Sequence, residues 1–172
     1  MLTEQQQQMV AVFESHVSAE LAGDLETTMA TMGKAPYLNH VPTMAGGFGR
    51  SSVHDFYRDH LVGCFFPPDV KMEGLSRTVG ESSIVEEIYI SFTHTTEVDW
   101  LLPKIAPTGK SIEMVVCVVV GFKDGKVSHE HIYWDQASVL VQSGLLNPKG
   151  LPVGGLEVAR RVRDPSLPAR VY

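Results

Sequence analysis

The strongest constraint on the fold is a series of four β-strand patterns in the middle of the chain. Each pattern is rich in β-branched and aromatic residues, and turns that contain Pro, Gly or Asp separate one from the next. The predicted strands span 70–79, 83–95, 111–122 and 127–134. Because sequential strands pair with their neighbours, these patterns predict a curved antiparallel sheet.

A helical pattern opens the chain ahead of these strands. It is predicted to begin at Thr3 or Glu4 and to end at Gly23, and His16 is expected at the edge of the core on its apolar face. The apolar residues that recur at helical spacing are Met9, Val10, Phe13, Val17 and Leu21.

Two shorter helices are predicted before the first strand pattern. Asp24 is expected to cap the second helix, which Gly33 ends. Ser51 or Ser52 is expected to cap the third, with Asp55 completing a capping box from Ser52.

Helices that precede antiparallel strands define the α+β class. We expect the curved sheet to wrap around the N-terminal helices as a cone that is open at one end. Residues 1–146 are interpreted as one domain. Residues 147–172, rich in Pro and Gly, are interpreted as a tail that docks on the body or on a partner subunit.

Composition excludes several functional classes. The net charge is −6, and no long basic run is present, so we expect no nucleic-acid partner. The longest apolar run, 114–120, is too short to span a bilayer, so no membrane partner is expected. Cys64 and Cys117 are interpreted as buried free thiols, which together with the polar N-terminus predicts a cytoplasmic protein. The exposed face of such a sheet predicts a homodimer.

The last strand carries an unusual mixture of polar and aromatic residues. Alternation places His129, His131, Tyr133 and Asp135 on one face, and the opposite face carries Ser128, Glu130, Ile132 and Trp134. One interpretation is that the strand lines a polar pocket. In the alternative interpretation, neighbours satisfy each histidine and Asp135 only caps the helix that follows.

Three motifs, taken in this order, resemble the nuclear transport factor 2-like superfamily. They are YLNHVP at 37–42, THTTEVDW at 93–100 with PTGK at 107–110, and DGKV at 124–127 leading to WD at 134–135. Within the superfamily the chain is similar to the SnoaL-like polyketide cyclases and to the limonene-1,2-epoxide hydrolase group. The resemblance covers most of the chain before residue 147, and it implies the cone-shaped fold.

The hydrolase resemblance is incomplete. Tyr37 and Asn39 stand where that group positions a water, and Asp99 matches its acid. However, Glu97 replaces the arginine partner and Ile132 stands where the base would be. We therefore do not expect the hydrolase mechanism of water activation. The cyclase resemblance implies instead that His94 and Asp135 form an acid–base pair.

The residues around Asp99 suggest a proton carrier. Asp99 lies between Val98 and Trp100, and an apolar wall would make it a usable acid or base near neutral pH, whereas a solvated aspartate at a strand end is the alternative. The predicted catalytic residues are Asp99, His94, His131 and Asp135. The residues predicted to bind substrate are Tyr37, Asn39, His40, Phe56, Tyr89, Trp100 and Trp134.

We therefore expect an acid–base enzyme without a cofactor, a cyclase or isomerase for a small apolar oxygenated metabolite such as a polyketide or terpenoid. A binding module without turnover and an epoxide or lactone hydrolase are the alternatives. No metal is expected, since the pair His129 and His131 would need a third ligand such as His94 or His40. No dinucleotide motif follows a strand.

Overall fold

The computed structural model describes residues 1–62 and 64–169. Its helices are α1 (Glu4–Ala22), α2 (Leu25–Thr31), α3 (Arg50–His60), α4 (Gln136–Gln142) and α5 (Leu156–Arg163). Its strands are β1 (Met32–His40), β2 (Ala45–Phe48), β3 (Lys71–Val79), β4 (Ser83–Thr93), β5 (Ser111–Lys123) and β6 (Lys126–Tyr133). The α+β class is confirmed.

Local signals explain the ends of the first two helices. The Thr3 side chain accepts from the backbone N–H of Gln6, and the Gln6 side chain accepts from the backbone N–H of Thr3, so a capping box begins α1. Gly23 ends this helix with φ 71°, a left-handed conformation that favours glycine. The carboxylate of Asp24 caps α2 by accepting from the N–H of Thr27.

The predicted start of the third helix is wrong. α3 begins at Arg50 after Gly49, which has φ 83°, and no side chain caps it. Ser51 and Ser52 therefore lie inside the first turn. Gly49 has a left-handed conformation that leads the chain from β2 directly into the helix, so this end depends on backbone geometry.

Six strands form one open, mixed sheet in the order β2-β1-β6-β5-β4-β3. The four strands predicted from the sequence pair antiparallel in chain order, with β6 next to β5, β5 next to β4 and β4 next to β3. On the far side of β6, β1 pairs parallel to it, with Leu38 opposite Glu130 and Asn39 opposite His131. This parallel pair departs from the expected all-antiparallel sheet.

The hairpin of β1 and β2 was not predicted as two strands. The glycine-rich segment after His40 folds back along β1, with Gly46 opposite Asn39. A β-carbon at Gly46 would lie 2.1 Å from the carbonyl oxygen of Leu38, so only glycine allows this close approach. The glycines therefore serve strand pairing in this segment.

The two faces of the sheet have different coverings. We call the side against α1 and α3 the inner face, and it carries Leu38, Glu130 and Ile132 over the core. The opposite side is the outer face. There α5 packs on β5, and Arg160 of α5 forms an ion pair with Glu113 at 2.6 Å.

The segment that contains α5 also contacts other parts of the body. The hydroxyl of Ser138 in α4 donates to the carbonyl of Gly155 at 2.8 Å. Arg163 forms an ion pair with Glu73 and lies over the ring of Tyr89, 4.9 Å from its centroid. Within residues 147–169 the chain thus lies against β3, β4 and β5.

Two sequence expectations concern thiols and membranes. Cys117 is half-buried, but Cys64 is exposed, which corrects the expectation that both are buried. Both are free thiols. Across residues 1–62 and 64–169, no helix combines the length and the apolar character that a membrane span requires.

Candidate active site

A small pocket lies between α1 and the inner face of the sheet. Its volume is about 70 Å³, several times the minimum that a buried water needs. Leu21 and Met72, which are partly exposed, mark its open side. Three polar residues reach it, namely Glu20, His40 and Glu130. The remaining wall is apolar, formed by Phe13, Val17, Leu21, Leu38, Leu61, Phe65, Phe66, Met72, Ile88, Ile90, Trp100, Val116, Val118 and Ile132.

Four ionisable side chains meet at one wall of this pocket, and we call them the charged cluster: His16, Glu20, Tyr57 and Glu130. The Nε2 atom of His16 lies 3.1 Å from Glu20 Oε1 and 3.1 Å from Glu130 Oε2. The hydroxyl of Tyr57 donates to Glu20 Oε1 and also lies 3.1 Å from Glu130 Oε2. Helices α1 and α3 and strand β6 each supply part of the cluster.

Neighbouring hydroxyls determine where His16 carries its protons. The hydroxyl of Thr31 donates to the carbonyl of Thr28 at 2.6 Å, so its oxygen can only accept from Nδ1 of His16, 2.6 Å away. Nδ1 therefore carries a proton. Nε2 faces two carboxylate oxygens, which favours a second proton there and a charged imidazolium.

The electrostatics of His16 agree with this assignment. Burial alone would lower the pKa of His16, but the negative charges of Glu130 and Glu20 outweigh it and hold the pKa well above its ordinary value. For Tyr57 burial has the opposite effect and raises the pKa, and the charges of the two carboxylates raise it further, so the phenol keeps its proton. Tyr57 is thus a donor to the cluster.

Glu130 is the most deeply buried carboxylate of the cluster, 3% exposed. Burial by itself would raise its pKa, yet the imidazolium of His16 and the hydroxyl of Tyr57 lower it below the ordinary value. With Glu20 as a carboxylate, two negative charges face one imidazolium. The charged cluster then carries one net negative charge beside an apolar pocket.

Each carboxylate uses only one of its oxygens within the cluster. Glu20 engages Oε1 and Glu130 engages Oε2. The second oxygens, Glu20 Oε2 and Glu130 Oε1, accept no hydrogen bond from any of the residues described, and each keeps accessible surface. Because both residues line the pocket, these two oxygens are acceptors available to a ligand.

His40 is a second buried histidine, in a different charge state from His16. Its Nδ1 lies 3.3 Å from the carbonyl of Ala45, which only accepts, so Nδ1 carries the proton. Burial lowers the pKa of His40 to about 4, although the contact with Ala45 and the charge of Glu130 act the other way. His40 is therefore neutral at pH 7, and Nε2 keeps a free lone pair.

The charged cluster is also the place where a metal ion would find ligands. Ligand atoms of His16, Glu20 and Glu130 lie within 4.8 Å of one another, and no other group of three such residues within 1–62 and 64–169 does so. The donor types suit a divalent transition metal. In the present arrangement, however, the proton on His16 Nε2 bridges the carboxylates, so a metal would have to displace it.

Several residues predicted to bind substrate do gather at the pocket. Trp100 lines it, and its indole N–H donates to the carbonyl of Phe65 at 2.9 Å. His40 also lines it and contacts the rings of Phe56, Trp100 and Trp134 at 5.6, 5.0 and 6.2 Å between centroids. Phe56 and Trp134 do not line the pocket themselves, but they pack against the ring of His40.

The two predicted aspartates lie away from the pocket. The side chain of Asp99 is 37% exposed, and its carboxylate lies 3.2 Å from Nδ1 of His60. Asp135 is exposed and accepts from the backbone N–H of Ser138 at 3.0 Å, so it caps α4. This contact matches the capping alternative. Neither residue belongs to the wall of the pocket.

The other predicted residues lie outside the pocket too. His131 and Tyr37 are on the outer face, where their rings contact each other at 5.1 Å, and Asn39 alternates with the pocket residues and shares that face. Tyr89, also on the outer face, donates to Glu113 at 2.5 Å. His94 is fully buried and bonds to Thr108 at 3.1 Å.

Two of these histidines have unsatisfied nitrogens. Nε2 of His94 and Nε2 of His131 are buried and have no hydrogen-bond partner among the residues described. Burial lowers the pKa of His94, and burial together with nearby His129 lowers that of His131. Both rings are therefore held in the neutral form.

Sequence reasoning did not identify the charged cluster as a site. Glu130 was placed on the correct face of the last strand, opposite His131, but no role was given to it. His16 and Glu20 are one helical turn apart on α1, a spacing that brings two side chains together. That spacing was the available signal, since it places the histidine and the glutamate side by side on the helix that carries the apolar face.

Comparisons with known proteins show the same fold. No protein-family model matches the chain, and no curated protein matches it. Among solved structures it is similar to a candidate SnoaL-like polyketide cyclase from Jannaschia sp. CCS1, with 13% identity, 86% of this chain and 99% of that chain covered, and a TM-score of 0.64.

Two further structures extend the comparison. A candidate hydroxylase, AclR from Streptomyces galilaeus, has 19% identity, covers 83% of this chain and 88% of its own, and has a TM-score of 0.58. A candidate ketosteroid isomerase from Kribbella flavida has 14% identity, coverage of 96% and 92%, and a TM-score of 0.55. The chain therefore has the nuclear transport factor 2-like fold.

Proposed function

We propose that this protein is an acid–base enzyme that transfers a proton on a small, apolar, oxygenated molecule bound in the pocket. The observation that carries the proposal is the charged cluster, which faces an apolar hollow with two free carboxylate oxygens. The names of the structural neighbours, polyketide cyclase and ketosteroid isomerase, agree with proton-transfer chemistry of this kind.

Glu130 is our choice for the proton acceptor. It is ionised at neutral pH because its pKa is lowered, it lines the pocket, and its Oε1 has no hydrogen-bond partner among the residues described. A carboxylate with a lowered pKa is a weak base, so it needs a substrate whose proton is itself comparatively acidic, such as an enol or a C–H between two carbonyl groups. A cyclase or isomerase of the polyketide type fits this requirement.

The other members of the cluster would hold Glu130 ready. The imidazolium of His16 hydrogen-bonds to its Oε2 and compensates its charge, and the Tyr57 hydroxyl lies 3.1 Å from the same oxygen. Glu20 offers a second free oxygen that can carry a proton between two atoms of the substrate. The apolar wall excludes bulk water from the reacting atoms, which strengthens each of these electrostatic interactions.

Proton transfer can be measured without knowing the product. The protein is incubated in D₂O with a panel of small 1,3-diketones and phenolic ketones, and deuterium incorporation is followed by NMR. We expect the protein to accelerate exchange and Glu130→Gln to reduce the rate by about 100-fold or more. Glu73→Gln is the matched control, since Glu73 is exposed and pairs with Arg163.

The result also separates the alternatives. Equal exchange rates for the protein and for Glu130→Gln would reject Glu130 as the acceptor. A ligand that raises the melting temperature but exchanges no proton would favour a binding module. Oxygen-18 from labelled water in the product would favour hydrolysis, although Tyr37 and Asn39, the expected water-positioning residues, do not line the pocket.

A further inference from the structure

The polar atoms that the pocket offers to a ligand are all hydrogen-bond acceptors. They are Glu20 Oε2, Glu130 Oε1 and Nε2 of His40. No other residue in the described wall of the pocket has an ionisable or hydroxyl side chain. A carbonyl or ether oxygen of a ligand is itself an acceptor, so it can form no hydrogen bond with these three atoms.

The hydrogen-bond donors near the pocket are already used. The indole N–H of Trp100 donates to Phe65, and Nδ1–H of His40 is directed at Ala45. The hydroxyl of Tyr57 and both N–H groups of His16 are directed within the cluster or at Thr31. A bound oxygen would have to break one of these contacts to gain a donor.

We infer that the pocket selects small apolar ligands that donate a hydrogen, through an O–H or N–H group placed between His40 and the free carboxylate oxygens. This inference rests on the proposed function and specifies its substrate class: the substrate enters as a hydroxyl compound or enol. A ligand whose only polar atoms are ether oxygens, carboxylate oxygens or the oxygen of a carbonyl that forms no enol is excluded.

Charge and shape support the same class. The charged cluster has one net negative charge, which repels anions and attracts a donated hydrogen or a cation. The apolar part of the ligand would lie against the aromatic rings of Trp100, Phe65 and Phe66. The ring centroids of Phe65 and Phe66 lie 5.8 and 5.3 Å from that of Trp100. A compact aromatic body with one donor group matches the chemistry of the apolar part and of the acceptor part of the wall.

Four probes of nearly equal size test the inference by titration calorimetry in the presence of EDTA. Benzyl alcohol carries the donor, benzyl methyl ether and benzaldehyde lack it, and benzylamine carries it with a positive charge. We expect the alcohol to bind at least about tenfold more tightly than the ether or the aldehyde, since a hydrogen bond to a charged acceptor would be lost. The amine distinguishes simple donation from attraction of a cation.

Two variants change the acceptors. His40→Phe keeps an aromatic ring but removes the lone pair, so the preference for alcohol over ether should fall by about tenfold. Glu20→Gln replaces one free oxygen with an amide that can donate, so benzaldehyde should bind more tightly than it does to the unchanged protein. Glu73→Gln, on the outer side of β3, should preserve the original selectivity.

The inference is overturned if ether or aldehyde binds the unchanged protein within about threefold of the alcohol, if none of the probes binds, or if both variants keep the original selectivity. Two variants are used because His40→Phe alone could fail to fold. Selective binding without any deuterium exchange would reject the proposed function and keep this inference. Deuterium exchange that depends on Glu130, without selectivity among the probes, would reject this inference and keep the proposed function.

Discussion

Glu130 and His131 are neighbours on β6, yet they lie in different chemical environments. Glu130 points to the inner face and joins a network of ionisable groups from α1 and α3. His131 points to the outer face, where it contacts the rings of Tyr37 and His129. Both faces of β6 carry polar residues, so the residue types alone do not show which face contributes to a functional site.

The two faces also differ in what their polar groups contribute to stability. On the inner face, charges are withdrawn from water and depend on their partners. On the outer face, Arg160, Arg163 and Glu73 keep half of their surface exposed, so their ion pairs are weakened by solvent. Substitutions should therefore have large effects on the inner face and small effects on the outer face.

The largest expected effect is that of Glu130→Ala. Removing this carboxylate leaves the imidazolium of His16 buried beside one fewer negative charge, which should destabilise the protein by about 3–5 kcal/mol. Urea unfolding at pH 7 measures this change. His131→Ala, on the adjacent residue, should change stability by about 1 kcal/mol or less. Equal losses for the two variants would refute the proposed difference between the faces.

A second prediction uses pH to compare the two buried histidines. The pKa of His40 falls to about 4 in the folded protein, so unfolded His40 binds a proton more readily. The stability that neutral His40 contributes is fully present above its unfolded pKa of about 6.5. It is lost as pH falls from about 6.5 to the folded pKa of about 4, which lowers the free energy of unfolding by about 3 kcal/mol. For His16 the folded pKa is raised, so its contribution is present below about 6.5 and is lost only when pH rises through the folded value.

Unfolding free energies at pH 7 and pH 4.5 test this prediction. His40→Phe should lose the part of the acid destabilisation that comes from the lowered pKa of His40. Leu151→Ala, a substitution at an exposed position that does not titrate, should keep the acid slope of the unchanged protein. An identical acid slope in His40→Phe would show that His40 titrates normally.

A third, smaller effect is expected for Asp135 at the start of α4. Asp135→Ala removes the cap from the N–H of Ser138 and should cost about 1 kcal/mol, because an N-cap side chain satisfies an otherwise free backbone donor. Asp135→Ser should restore most of it. Thermal unfolding gives the comparison, and proton exchange should remain unchanged in both variants. A loss of exchange in Asp135→Ser would return Asp135 to the catalytic role that the cyclase resemblance implies.

The smallest effect is expected for Asp99→Asn. The side chain of Asp99 is 37% exposed and pairs directly with the 43% exposed side chain of His60 at 3.2 Å, so its loss should change stability by less than about 1 kcal/mol. The deuterium-exchange rate should equal that of the unchanged protein. Abolished exchange would instead support Asp99 as the principal proton carrier and would move the active site away from the charged cluster.

Much of the fold could be predicted because its signals are local. The four strands of 70–134, the capping box of α1 and the Asp24 cap depend on residues close together in sequence. The parallel pairing of β1 with β6 could not be predicted in this way, since it joins segments about 90 residues apart and depends on how α1 and α3 cover the sheet.

The site could be predicted only in part. The aromatic side of the pocket, with His40, Trp100 and the supporting Trp134, was recognised because buried aromatic residues near a motif are conspicuous. The acidic side was missed, since Glu130 and His16 are 114 residues apart and nothing local connects them. Asp99 was favoured for its apolar neighbours in sequence, but it lies in a turn that buries Val98 and Trp100 and leaves its own side chain 37% exposed.

By itself, the sequence determined the elements, the α+β class and which residues of β6 share a face, because period and capping are properties of neighbouring residues. Only the tertiary structure decided which face of β6 meets α1. That packing brings His16, Glu20 and Tyr57 to Glu130, leaves His131 and Asp135 outside, and sets the charge states of both buried histidines, since burial and electrostatic partners arise only after distant segments pack together.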